Sequence, residues 1–215
     1  MSKKMKLLAL LLGVMVMMLG LSGCRYLGER KFADLEKVYP TQNAYDLFKV
    51  FPKGFHILNV ASYNSTSYYL DLEGDYANKL ITGTLEVNEN DQMVKRVDVE
   101  LKESGEFIVH QQLEEKYQDY LEQFQFLFQL LNLSQDQLHS LKSKKTWDNA
   151  NGDYIRFYEM DNKIVANYLK IKGTNFGINI QGNLEEDKRF GYSREVEIGR
   201  DDSSISESIF SRGEK

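Results

Sequence analysis

The sequence predicts an α+β domain in which antiparallel sheet regions pack on one long amphipathic helix, with short helices alongside. Two stretches, 55–101 and 154–198, carry β-rich segments punctuated by Asn, Asp and Gly. Between them, residues 111–132 bring apolar side chains round at helical spacing. The only cysteine is Cys24, so no internal disulfide can form and burial of apolar surface must hold the fold.

The first element is an address. Lys3, Lys4 and Lys6 precede an apolar run from Leu7 to Leu21, which closes on Leu21-Ser22-Gly23-Cys24. Those are the three regions of an export signal. The run is short for a membrane span, which needs about 20 apolar residues. Leu21, Ser22, Gly23 and Cys24 resemble the bacterial lipobox. That resemblance implies diacylglycerol on the Cys24 thiol and cleavage before it, so residues 1–23 are the signal and 24–31 a lipidated anchor with a short linker. Two acyl chains bind a bilayer far more firmly than one, at about 0.8 kcal/mol per buried methylene. The bland alternative is an ordinary signal whose cysteine falls there by chance.

Removing the signal leaves 192 residues, enough for one domain with a sizeable core or for two small lobes. Basic residues fall from 27 to 24 against 32 acidic ones, a net charge of −8. Such a surface repels phosphate backbones, which argues against nucleic acid as a partner.

Phe32 to Val38 spaces its apolar residues for a short helix that stops at Tyr39-Pro40, and Ala44, Leu47, Phe48 and Phe51 predict a second, ended by Pro52-Lys-Gly54. Strands follow at His56–Val60, Ser67–Leu72, Leu80–Val87 and Met93–Leu101; the last two alternate on either side of the polar turn Asn88 to Gln92 and make a hairpin. In the long helix Leu113, Tyr117, Tyr120, Leu121, Phe124, Leu127, Phe128 and Leu131 form one stripe, expected to pack against the sheet. Ser134 caps a short helix through Leu138 and Leu141 that ends near Lys142 to Lys145. Strands return at Tyr154–Tyr158, Val165–Lys172, Gly177–Gln181 and Arg194–Ile198. The domain is thus expected over 32–199, and residues 200–215 as a polar, partly mobile tail with only Ile205, Ile209 and Phe210 to pack.

Searching the same residues for chemistry yields little. His56, His110 and His139 are scattered, none within five residues of another, so neither a catalytic base beside a nucleophile nor a metal motif is spelled out; no catalytic residue, metal ligand or cofactor is assigned. Asp148 to Asp153 superficially suggests a calcium loop, but Ala150 takes a ligand position and a turn is the better reading. Glu185-Glu186-Asp187 and Asp201-Asp202 could pair carboxylates, though such runs beside Gly and Asn are usually solvated turns. Tyr63, Tyr68 and Tyr69 suit either an interface or the rim of a sheet.

The order of features resembles the staphylococcal tandem lipoproteins, the conserved staphylococcal antigen family. The likeness rests on the lipobox cysteine, on Tyr39-Pro40-Thr-Gln-Asn43 with Asp46-Leu47-Phe48, on Leu121-Glu-Gln-Phe124-Gln-Phe126, on Lys170-Ile-Lys-Gly173 and on Ile205-Ser-Glu-Ser-Ile209. The strand region after Gly54-Phe55-His56 departs from that pattern. The resemblance implies a surface lipoprotein of Gram-positive bacteria with no known enzymatic activity, held to the outer face of the membrane through lipid on Cys24. The expectation is a non-enzymatic protein that meets a protein or glycan of the envelope or the host. The alternative is a small-ligand or lipid binder with a pocket between helix 111–132 and the sheet, walled by Tyr120, Phe124 and Phe128.

Overall fold

The computed structural model describes residues 28–170, 172–200 and 203–213. Leu21, Ser22, Gly23, Cys24, Asp201 and Asp202 lie outside them.

A strap from Gly28 to Gly54 holds two 3-10 turns, Arg30–Phe32 and Leu35–Lys37, then a third at Ala44–Asp46 that runs into helix α1 (Leu47–Val50). Asn43 starts the third turn by accepting from the Tyr45 N–H at 2.9 Å. Five strands follow as a meander: β1 (Phe55–Tyr63), β2 (Thr66–Asp75), β3 (Leu80–Glu89), β4 (Gln92–Leu101) and β5 (Phe107–Val109). Helices α2 (Glu115–Glu122), α3 (Leu127–Leu130) and α4 (Gln135–Ser140) return across them. The chain then meanders back through β6 (Lys142–Asp148), β7 (Asp153–Asp161), helix α5 (Lys163–Tyr168), β8 (Asn175–Asn183), helix α6 (Leu184–Phe190), β9 (Ser193–Arg200) and β10 (Ser203–Ser211).

All ten strands form one antiparallel sheet in the order β5-β4-β3-β2-β1-β10-β9-β8-β7-β6. This corrects the expectation of separate sheet regions packed on one long helix. The two meanders meet where β10 pairs with β1 along Phe55↔Ser211 to Tyr63↔Ser203. The last strand is therefore a central one, buried through Ile205, Glu207 and Ile209, rather than part of a tail. Strand period explains the core: Ile57, Leu72, Val99, Ile209, Ile178 and Val196 alternate with outward neighbours, so one sheet face is apolar. The strap covers that face with Phe32, Leu35, Val38, Tyr39 and Leu47, the helices add Tyr117, Phe128 and Leu138, and the α3–α4 connection adds Leu133.

The long helix is broken as well. Gln123 ends α2, Phe126 is extended at φ −72 and ψ 149, and α3 starts afresh. The apolar stripe continues through the break, which is why periodicity alone reads it as one helix. Residues 163–168, expected within or beside a strand, are α5, started by the Asn162 side chain accepting from Ile164 and Val165. Lys142 to Lys145, expected as a helix end, belong to the edge strand β6. The β3–β4 hairpin and the Ser134-capped helix form as expected.

Deleting residues 203–215 should leave β1 and β9 without their shared neighbour. The expected result is loss of the cooperative unfolding transition, read by circular dichroism in urea; a truncated chain unfolding at the full-length midpoint contradicts the central place of β10.

Candidate functional site

Glu207 is wholly buried on β10 and faces the covered side. It accepts from Tyr39 Oη at 3.0 Å, from the backbone N–H of Leu127 at 2.9 Å and of Phe128 at 3.1 Å, and from Asn59 Nδ2 at 3.4 Å. One carboxylate thus ties the strap, the start of α3 and both central strands. It satisfies N–H groups that a helix start leaves open. Thr41 N–H donates to the Phe128 carbonyl at 2.8 Å and closes the strap onto the same helix. Burial pushes Glu207 up to about 7, against the lowering effect of these four donors.

A second cluster lies nearer the start of β9. Arg194 is buried and grips Asp34 of the strap through Nε at 3.0 Å and Nη2 at 2.8 Å, while Nη1 reaches Asp187 of α6. Tyr154 Oη donates to the other Asp187 oxygen at 2.5 Å, and its ring lies across Gly182, where a Cβ would come within 2.5 Å of ring atoms. Burial raises Asp34 above the usual carboxylate range against the pull of Arg194. Closer to the N-terminal end of the strap, Arg156 Nη1 meets Asp148 at 2.5 Å and Lys31 Nζ meets the same carboxylate at 2.8 Å. Gly28 lies so close to the Arg156 guanidinium that a Cβ would approach Nη2 to 2.5 Å.

The accessible feature is a groove of about 670 Å³ at the end of the sheet where β1 and β9 start and β10 ends. Lys37 of the strap, Lys53 before β1, Lys188 and Arg189 of α6 and Arg212 after β10 line it, with Phe51, Phe190 and Tyr192 as apolar wall and Asp34 as the one acid among the described lining residues. Lys188 pairs with Glu185 at 2.6 Å, Arg212 with Glu73, and the Arg189 guanidinium lies over the Phe190 ring at 4.8 Å. Five cations in one groove of an acidic protein form a local positive field suited to an anionic group. No sequence run announces it, because its cations come from positions 37, 53, 188, 189 and 212.

The structure places the sequence candidates as follows. Glu185, Glu186 and Asp187 are the first turn of α6, capped by Asn183, with Glu186 accepting from Ser193 at 2.6 Å and Asp187 held by Arg194 and Tyr154. Asp148 to Asp153 is a turn closed by Asn149, whose side chain accepts from Asn151 and Asp153. His56 faces Asp71 at 2.5 Å, His110 lies 3.9 Å from Glu100 and His139 meets Glu29, so the three stay apart. Among the described residues no group of three or more His, Cys, Asp or Glu side chains is placed to hold a metal ion. Tyr63 and Tyr68 pack on the core, and Tyr68 stacks on Tyr120 at 3.9 Å.

The trio expected to wall a ligand pocket is occupied with packing. Phe128 is wholly buried, Phe124 meets Phe107, Tyr120 and Phe126 edge-on, and Tyr120 lies under Tyr68. A cleft of about 670 Å³ does open between α2 and β5, but Phe107, Val109, Leu113, Gln118, Leu121 and Glu122 line it.

No family model and no curated protein sequence matches the chain. Among solved structures, the lipoprotein LppX of Mycobacterium tuberculosis is similar at 10% identity and a TM-score of 0.40, over 79% of this chain and 92% of that one. At that score the likeness carries no argument about this chain. Among the described residues, no helix is long and apolar enough to cross a membrane.

The raised pKa of Glu207 makes stability depend on pH. A folded value above the unfolded one means that the folded chain binds the proton more tightly. The stabilising contribution is therefore full below about 4.5 and lost as pH rises through about 7. The stability difference between the wild-type protein and Glu207→Gln should fall by on the order of 2–3 kcal/mol from pH 5 to pH 8, read from urea midpoints. Parallel pH profiles for the two proteins contradict the assignment.

Proposed function

We propose that this is a lipid-anchored surface protein, held to the outer face of a membrane through Cys24, that acts by binding rather than by catalysis. The observation that carries the anchor is the position of the strap: Gly28 already packs on Arg156, and Phe32 and Leu35 are wholly buried. Cleavage before Cys24 removes none of these residues, so the mature chain keeps them all. Lys3 to Leu21 and the Leu21-Ser22-Gly23-Cys24 sequence supply the processing signal. The resemblance to the staphylococcal tandem lipoproteins supports the same address.

Binding is the reading that the buried ionisable groups favour. Glu207 is engaged by four donors and Arg194 by two carboxylates, all from within the fold. Each joins one layer of the molecule to another, which is a structural use. The partner is a protein or glycan of the envelope or host, and the outward sheet face and loops are free to meet it.

A second reading is favoured by the cleft between α2 and β5. Its apolar side chains and the amides of Gln111, Gln112 and Gln118 could hold a small ligand. It differs from the pocket expected from the sequence in being walled by Leu113 and Leu121 rather than by the aromatic trio.

Replacing Cys24 by Ser should abolish palmitate labelling and shift the protein from the membrane to the soluble fraction of the producing cells. Persistence of the variant in the membrane fraction contradicts the anchor. Crosslinking with residues 25–215 as bait should enrich one surface protein or glycan over a surface-scrambled control. For the second reading, native mass spectrometry should show a bound mass that Leu121→Glu removes; an empty domain whose melting temperature does not move with candidate ligands disposes of it.

A further inference from the structure

The strand registers place Phe55, Gly74, Ile81, Ser211, Ser193, Asn183, Asp153 and Asp148 at one end of the sheet. Three observations converge there. The strap enters at that end, because Gly28 packs on Arg156 and Arg156 holds Asp148, the last residue of β6. Only residues 25–27 separate Cys24 from Gly28, so the Cys24 lipid is at most about 14 Å of extended chain away. This corner therefore stays beside whatever bilayer holds Cys24.

The same end exposes large apolar side chains among its charged ones, Glu73, Asp148, Glu185 and Glu186 included. Trp147, the single tryptophan, is 44% exposed on the edge strand, and Leu184 is 45% exposed at the start of α6. Tyr76 and Leu80 in the β2–β3 turn region make four of the seven exposed large hydrophobics of the described residues at this end. Tryptophan suits the headgroup level of a bilayer, having an apolar body and a polar N–H. The basic groove with Lys188 and Arg189 opens between these two apolar regions, in a protein whose mature net charge is −8. A cationic recess flanked by exposed apolar side chains is complementary to an anionic lipid surface.

We propose that this end of the sheet is a membrane-docking surface, on which Trp147 and Leu184 seat at the headgroup level and the groove cations Lys188 and Arg189 face anionic lipid. It rests on the reading of Cys24 as the lipid-bearing residue, and it fixes the orientation of the tethered domain: the opposite end, with the β3–β4 turn, points away from the bilayer. The Lys142, Lys144 and Lys145 side chains of β6 continue the basic character along the adjoining edge, two of them paired with Glu159.

The test uses the mature chain 24–215, whose single thiol is coupled to a maleimide lipid in phosphatidylcholine vesicles with or without phosphatidylglycerol. Trp147 alone then reports on this end. Tethering to phosphatidylglycerol vesicles should shift its emission to the blue and expose it to quenching by headgroup-level brominated lipid. Lys188→Glu combined with Arg189→Glu should cut that quenching roughly in half. A chain with Trp147→Phe and Val94→Trp, which moves the reporter to the far end, should show no quenching. Unchanged Trp147 emission in a folded, tethered domain overturns the proposal, as does equal quenching at position 94, which means that the domain tumbles on its leash. Chemical coupling makes the vesicle result independent of the cell: missing palmitate on Cys24 in vivo sinks the anchor, and missing quenching in vitro sinks the docking surface.

Discussion

The contact on which the architecture turns is the one between Glu207 and its four donors. A carboxylate taken wholly out of water is costly, and here the cost is offset by hydrogen bonds from three separate parts of the chain. Of those parts, the strap and α3 have little regular structure of their own. The strap has only short 3-10 turns and one four-residue helix, and α3 is four residues long. Elements this short are not stable helices by themselves, so tertiary contacts must specify where they begin. Glu207 specifies the start of α3 by accepting from its first two N–H groups. Gln129 Oε1 in turn accepts from the Phe126 N–H at 3.0 Å. The break in the expected long helix follows from this: a second helix start is needed where the carboxylate lies, and residues 123–126 turn the chain to provide it.

The strap follows the same logic on a larger scale. Phe32, Leu35, Val38, Tyr39 and Leu47 have no exposed surface, so the N-terminal segment is a layer of the core. Burying such side chains stabilises by about 1.5–3 kcal/mol each, which in a chain with no disulfide is a substantial share of the whole. Arg194 then pins the strap through Asp34, and Asp148, itself held by Arg156, pins it through Lys31. A protein tethered through a residue only a few positions upstream benefits from this arrangement. A pull applied upstream of Gly28 would be taken up by packed residues at once.

Much of the fold is legible in the sequence, and the misreadings have physical causes. The β3–β4 hairpin shows because Leu85, Val87, Val97, Val99 and Leu101 alternate cleanly round a polar turn. The helix after Ser134 shows because its cap is written in the chain. β10 is hidden because Glu207 stands at a core position, so Ile205-x-Glu-x-Ile209 looks like a polar tail; the spacing of the two isoleucines was the available signal. Without β10 the two halves cannot be joined, and a single sheet reads as two regions. β6 is hidden because only Trp147 among Lys142 to Asp148 is a large apolar residue, a composition that suits an exposed edge strand better than a central one. The groove is illegible for a different reason: its five cations come from four separated segments, and only the ends of β1, β9 and β10 bring them together.

What the filled face implies for function is the last step. Ten strands could curve round a cavity, yet aromatic and aliphatic side chains from the strap and helices occupy the covered side. Tyr120 stacked on Tyr68, Phe126 stacked on Phe128 at 4.6 Å and Phe32 against Tyr154 take up the volume that a ligand would need. The two large recesses lie at the margin, one at the strand ends and one beside β5. Open volume is thus left at the surface, and the two recesses stand at different distances from Gly28, where the strap enters the fold. The basic groove lies at the end where the strap enters the fold. The cleft by β5 lies at the far edge of the sheet, nine strand spacings or about 43 Å from β6 if the sheet were flat. On the proposed anchoring through Cys24, the basic groove is the recess nearer the tether, and the β5 cleft, whose Ser104 to Phe107 lie at the same strand ends, is set apart from it only by distance across the sheet.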